Sequence, residues 1–145
     1  MRKPISWNKL WMDMALLVAQ RSKDEQTQVG AVAVSPDNKN IHIAYNGFPI
    51  KIKDTEERWI KPTKYSYVLH CETNLILNAK ESLDSWSVFI TIPPCPECTK
   101  LLIQSGIKRI VYHHEHQNNT KFDYSFSKEL LKEAGIEIIK FEEKV

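Results

Sequence analysis

Residues 70–72 read HCE and residues 92–100 read IPPCPECTK, which sets an imidazole, a carboxylate and two thiols in two short stretches. Alone, Cys95-x-x-Cys98 is compatible with a redox couple, half of a structural zinc site or half of a catalytic one. The chain has three cysteines, Cys71, Cys95 and Cys98, one too few for a four-cysteine zinc knuckle. His70, Cys95 and Cys98 make a three-ligand set that suits zinc, with thiolate–zinc bonds of about 2.3 Å and a fourth position open for water. Cysteines at i and i+3 on a first helical turn share a face and can grip one ion. The free N–H groups and the positive dipole end of that turn face the thiolates. Two thiolates already neutralise a dication, so a carboxylate ligand would make the site anionic and its water less acidic. Glu72 therefore reads as a proton carrier beside the metal. A redox pair would give His70 and Glu72 no role. A structural zinc completed from HHEH (113–116) is the remaining alternative.

These residues need elements to hold them. SWNKLWMDMALLVAQ (6–20) sets Trp7, Trp11, Met14, Ala15 and Val18 at helical spacing behind Ser6 as N-cap, a core-facing helix. VGAVAV (29–34), the turn SPDNKN and the alternation of Ile41, Ile43 and Tyr45 predict a hairpin, with His42 on its solvent side. NGFP (46–49) breaks the second strand. Residues 50–66 are charged and aromatic without periodicity, a long surface excursion of the kind that forms lids or binding loops. A helix is predicted from His70 to Lys80, a strand over 87–92, and a helix from Cys95 to Gln104 that stops at Gly106. A strand over 107–112, a helix over 122–135, a strand over 136–141 and a frayed EEKV end complete the chain. Strands alternating with helices imply a mostly parallel sheet flanked by helices. Without repeat or linker, residues 1–145 are expected to form a single domain.

Composition narrows the function classes. The chain has 145 residues, 20 Lys and Arg against 18 Asp and Glu, and a formal charge of +2. That balance does not advertise a nucleic-acid or membrane surface. No apolar stretch is long enough for a membrane span, and MRKPISWNKL lacks the apolar core of a signal peptide. A cytoplasmic setting with reduced thiols is expected.

The H-x-E … P-C-x-x-C arrangement is the signature of zinc nucleobase deaminases, here His70-Cys71-Glu72 and Pro94-Cys95-Pro96-Glu97-Cys98. The chain resembles deoxycytidylate (dCMP) deaminases of the cytidine/deoxycytidylate deaminase superfamily. AQRSKD (19–24), QVGAV (28–32), AYNGFP (44–49), KYSYVLHCE (64–72) and PCPECTKLLIQSGIKRIVY (94–112) follow in the order that family shows. Glu97 and Lys100 sit closer to dCMP deaminases than to cytidine deaminases, where a cysteine replaces the histidine and PCGxC is usual. The PCxMC of tRNA adenosine deaminases differs too. HCETNLI departs from the commoner HAELNAI, which changes packing at Cys71 and Thr73 but leaves ligand and acid in place.

The resemblance implies a three-layer α/β/α cytidine-deaminase-like fold with a mixed, mostly parallel five-stranded sheet. It implies one catalytic zinc and hydrolytic deamination of dCMP to dUMP and ammonia, supplying dUMP for thymidylate synthesis. Glu72 would protonate N3 of the base and later the departing amine. Asn46, reaching inward at a sharp turn at Gly47, is the residue for the sugar 3′-hydroxyl. Arg21, Ser22 and Lys23 form a compact donor set for the 5′-phosphate. Cys71 would be a small buried hydrophobe whose backbone N–H meets the base carbonyl. Tyr112 is placed near the base, and the Pro94 carbonyl, without a competing intrahelical donor, accepts from the leaving amine. Many members are homohexamers activated by dCTP with Mg2+ and inhibited by dTTP. The VGA turn, NGFP and the 50–66 loop are where such a nucleotide would lie. The HHEH histidines read as solvated loop residues rather than a second metal site. Rival readings are a deaminase of another cytosine species (dCTP, a modified dCMP, deoxycytidine), a nucleic-acid-editing deaminase, and a non-catalytic zinc module.

Overall fold

The computed structural model describes residues 1–116 and 123–143. Ser6 caps α1 (Trp7–Ala19), its hydroxyl accepting from the Lys9 amide at 3.1 Å. The helix buries Trp11, Met12, Ala15 and Ala19. Trp7, expected in that stripe, is 56 % exposed and stacks on Trp11 at 5.5 Å, because α1 makes its buried contact only from Trp11 onward.

Five strands, β1 (Gly30–Val34), β2 (Ile41–Tyr45), β3 (Ser87–Ile90), β4 (Arg109–Tyr112) and β5 (Glu137–Lys140), form one sheet in the order β2-β1-β3-β4-β5. β1 runs antiparallel to both neighbours while β3, β4 and β5 are mutually parallel. Four strands thus point one way and β1 the other, the mixed, mostly parallel sheet expected. Helices α3 (Cys71–Ala79), α4 (Pro96–Gln104) and α5 (Tyr124–Glu133) cover one face over Ala31, Val88, Ile90 and Ile110. α1 covers the other over Val32, Val34 and Phe89, which completes three layers. β1 is buried throughout because it alternates alanine toward α3 with valine toward α1. At its start a Cβ on Gly30 would meet the backbone of Ala15 and Ala19, so only glycine lets α1 lie this close.

Several boundaries move for physical reasons. VGA is the entry into β1, not a turn. β3 ends at Ile90 rather than residue 92, since the following Pro93 and Pro94 carry no N–H for a ladder. β4 starts at Arg109 and α5 at Tyr124, where Asp123 caps by accepting from the Phe126 amide at 3.2 Å. Phe122 of the expected helix, and Lys144 and Val145 of the expected frayed end, lie outside the described residues. The 50–66 excursion contains a 3-10 turn (Glu57–Trp59) and the short α2 (Lys64–Tyr67), drawn together by Phe48 stacking on Trp59 and Tyr67 at 4.4 and 5.3 Å. His42 is not a freely solvated residue. Its ring stacks on Trp86 at 5.3 Å and its Nε2 meets Glu81 at 2.6 Å. Gly106, at φ +86°, stops α4 where a side chain would collide with Asp84. Among the described residues no helix is long and apolar enough to cross a membrane.

Candidate metal centre

Two helix starts converge at one edge of the sheet. After β2, Gly47 forms an isolated bridge with Leu69 through bonds of 3.2 and 2.8 Å. This bridge, rather than the sharp turn expected at Gly47, returns the 50–66 excursion to the strand end and delivers His70 as the N-cap residue of α3. After β3, Pro93 and Pro94 carry the chain to Cys95, the N-cap residue of α4, with Pro96 at the first helical position, where its missing N–H costs nothing. Both cap residues have extended backbones, at φ/ψ −65/151° and −69/166°.

His70 Nδ1 lies 3.5 Å from Cys95 Sγ and 3.3 Å from Cys98 Sγ. These three donor atoms all fall within 4.8 Å of one another, the only such group among the described residues. Zinc–nitrogen bonds of about 2.0–2.1 Å and zinc–sulfur bonds of about 2.3 Å put tetrahedral N···S edges at about 3.6 Å. The donor set therefore fits zinc with little rearrangement, and it leaves one tetrahedral position without a protein donor. The interaction between the two sulfurs pulls Cys95 down, to about 4, and, with burial, raises Cys98 well above the usual thiol range. Thr73, one of the departures from the commoner motif, brings its hydroxyl to 3.9 Å from Cys98 Sγ.

Glu72 follows His70 in the first turn of α3 and is 5 % exposed. Burial lifts its carboxyl to about 7, against the opposing pull of the His70 charge. A carboxyl poised near neutrality can both take and give a proton at physiological pH. Cys71 points the other way: its thiol, raised by burial, donates to the Ala44 carbonyl at 3.1 Å. Its place as the first helical residue makes its backbone N–H one of the donors that a helix start leaves without an intrahelical acceptor.

His70, Glu72 and Cys95 line a cavity of about 740 Å³, a volume suited to a small organic ligand. Asn46 lines it as well, braced by donating to the Thr27 carbonyl and accepting from the Val29 amide, both at 2.9 Å. The other expected substrate residues are placed differently. Arg21, Ser22 and Lys23 are not among the lining residues. Arg21 sits 5.9 Å from the Tyr45 ring, Ser22 donates to the Asn46 carbonyl at 2.9 Å, and Lys23 pairs with Asp54 at 2.7 Å. They follow the end of α1, and Ser22 alone of the three holds a lining residue, through the Asn46 backbone. Tyr112 faces the core and donates to Glu115 at 2.6 Å instead of entering the cavity. Pro94 is buried behind Pro93, which does line the cavity. Its carbonyl has a weak competitor in the Thr99 hydroxyl, 3.5 Å away but 2.8 Å from the Cys95 carbonyl.

Some wall residues went unnoticed in the sequence. Lys64 and Asp24, both buried, form a two-oxygen ion pair at 3.1 Å, and Lys64 Nζ also reaches Gln26 at 3.0 Å. The pair ties the 24–28 segment to α2. Lys64→Met is expected to cost about 3–5 kcal/mol in denaturant unfolding because Asp24 would stay buried and unpaired. The double variant with Asp24→Leu should recover most of that loss. The histidine loop is less solvated than expected: His114 and His116 line the cavity, and His116 stacks on Tyr124 at 3.9 Å with its Nε2 3.1 Å from the Pro93 carbonyl. Burial, then the charges of Cys95, Glu72 and Cys98, push the Tyr124 phenol up, which marks its closeness to the metal centre.

A family model described as the cytidine and deoxycytidylate deaminase zinc-binding region matches residues 5–114. Mouse deoxycytidylate deaminase is 38 % identical over 145 residues, covering 94 % of this chain and 80 % of its own length. The human enzyme of the same name is 37 % identical with the same coverage. Among solved structures, the dCMP deaminase of cyanophage S-TIM5 in complex with dCMP and dUMP superposes with a TM-score of 0.76 at 27 % identity, covering 97 % of this chain and all of that one.

Proposed function

We propose that this chain, which belongs to the cytidine and deoxycytidylate deaminase family, hydrolyses dCMP to dUMP and ammonia, with residues 1–145 acting as one deaminase domain. The observation that carries the reading is the meeting of the His70–Cys95–Cys98 donor set and the buried Glu72 carboxyl at the wall of one cavity. Zinc held by those three donors would supply an activated water to the amino-bearing carbon of the base.

The chain's own residues do the rest. Glu72 takes the proton of the attacking water, delivers it to N3 and then carries a proton to the departing amine. Its near-neutral carboxyl suits both directions of transfer. The Cys71 backbone N–H donates to the base carbonyl, and the Pro94 carbonyl accepts from the leaving amine. Asn46 uses one Nδ2 hydrogen on Thr27, and its second remains for the sugar 3′-hydroxyl. Lys64 directs its ammonium to Asp24 and Gln26. Lys61, on the cavity wall, is then the ammonium for the 5′-phosphate. In this reading Arg21, Ser22 and Lys23 act indirectly, Ser22 by holding the Asn46 backbone.

Two finer parts rest on the family resemblance: assembly of copies, a hexamer in many members, and activation by dCTP with Mg2+ opposed by dTTP. Exposed Leu17 and Ile43 supply apolar area for assembly. Turnover of dCMP, deoxycytidine and dCTP, compared side by side with and without added dCTP or dTTP, tests substrate and regulation together. A monophosphate preference is expected. Equal turnover of deoxycytidine would remove the phosphate anchor from the account.

A further inference from the structure

At the opposite edge of the sheet lies a second cavity, of about 430 Å³. Val34 ends β1 there, while Ser87, Arg109 and Glu137 begin β3, β4 and β5. The metal centre lies beyond the other end of β3, so the two cavities share strands but no lining residue.

Arg109 is the informative side chain. Its guanidinium carbon sits 5.7 Å from the centroid of the Phe89 ring, which is fully buried, so the head group rests against a fixed surface. Its Nε is shielded from solvent and has no hydrogen-bond partner. Glu137 is its register partner on β5, yet no ion pair joins them among the described residues. A buried N–H without an acceptor is rare in folded proteins and calls for an explanation, of which a bound ion is one. Lys108 lines the same cavity and adds a second cation. The Ser87 hydroxyl and Asn38 complete the lining. Asn38 Oδ1 accepts from Trp11 Nε1 at 3.1 Å, which turns its amide N–H2 group away from Trp11. The donors thus outnumber the acceptors, and Glu137 is the one carboxylate on the wall.

We propose that this cavity is a second binding site that takes a phosphate group, gripped by the Arg109 fork with Lys108 beside it. The two terminal N–H2 groups of a guanidinium match two oxygens of one phosphate, and Arg109 lines the cavity from which that phosphate approaches. Two adjacent cations suit a dianion better than a monoanionic carboxylate. The site owes nothing to the zinc chemistry and stands apart from the substrate cavity.

The test titrates the zinc-loaded full chain at fixed ionic strength with inorganic phosphate, with AMP and with adenosine, following arginine Nε–H signals by NMR. The signal that disappears in Arg109→Lys should move and saturate with a phosphate-bearing probe and stay still with adenosine. Saturation by inorganic phosphate identifies free phosphate as sufficient; a response to AMP alone identifies a nucleotide phosphate. Arg109→Gln should weaken binding at least tenfold and Arg109→Lys, which keeps the charge without the fork, by less. Glu137→Gln should tighten it, while dCMP turnover in buffer without added inorganic phosphate stays unchanged in Arg109→Gln. An Arg109 signal that no probe moves, or binding that survives Arg109→Gln at full strength, would overturn the proposal. Burial of this edge against a second copy, seen as loss of oligomer in Arg109→Gln with no phosphate response, would overturn it as well.

Discussion

Glu72→Gln is expected to lower dCMP deamination by about 10²–10⁴-fold, the range typical of a positioned general acid–base group, while the protein keeps its zinc. The substitution preserves shape and removes only the proton traffic. Glu72 lies in the first turn of α3, two residues after His70, and is buried. It is absent from the His70–Cys95–Cys98 donor group, so metal content should be indifferent to the change. Steady-state ammonia release together with zinc analysis of the same sample checks both halves. Loss of zinc in the variant would make Glu72 a ligand and overturn its assignment as proton carrier. An unchanged rate would remove it from the chemistry.

Cys95→Ser and Cys98→Ser are expected to release the zinc and the activity together. A hydroxyl is a poor replacement for a thiolate, and two thirds of the donor set are sulfur. Zinc binding must also expel the proton that the two thiols share, since their interaction lowers Cys95 while it raises Cys98. The sign follows directly: the metal-bound state carries fewer protons, so affinity rises with pH. Over the neutral range that proton alone contributes about tenfold per pH unit. Competition with a chromophoric chelator at several pH values measures that slope, and proton release into a weak buffer counts the protons. A flat affinity, or a serine variant that retains zinc at full occupancy, would contradict the ligand assignment.

The metal centre was legible in the sequence because its four residues fall in two compact motifs, each at a helix start. The extended N-cap backbone that aims His70 and Cys95 is a local property of those starts. The strand and helix order was readable for a similar reason, through alternation in β1 and β2 and helical spacing in α1. What the sequence hid depends on distant partners. Lys64 and Asp24 stand 40 positions apart, and nothing in RSKD or KYSY announces that their charges meet inside the protein. Arg21, Ser22 and Lys23 looked like a phosphate grip because they are adjacent cations and a hydroxyl. Only the folded arrangement shows that none of the three lines the cavity and that Lys23 turns to Asp54. Tyr112 was ambiguous for the opposite reason: a strand-end tyrosine serves a core as readily as a site, and here the core takes the ring. His116 reads as a solvated loop residue in the sequence because its stacking on Tyr124 joins two segments that share no local pattern.

The most direct measurement is incubation of the zinc-loaded protein with dCMP while ammonia and dUMP are quantified together. The account predicts the two products in equal amounts, abolished by a chelator and restored by zinc. Absence of both products, with or without dCTP present, would contradict it.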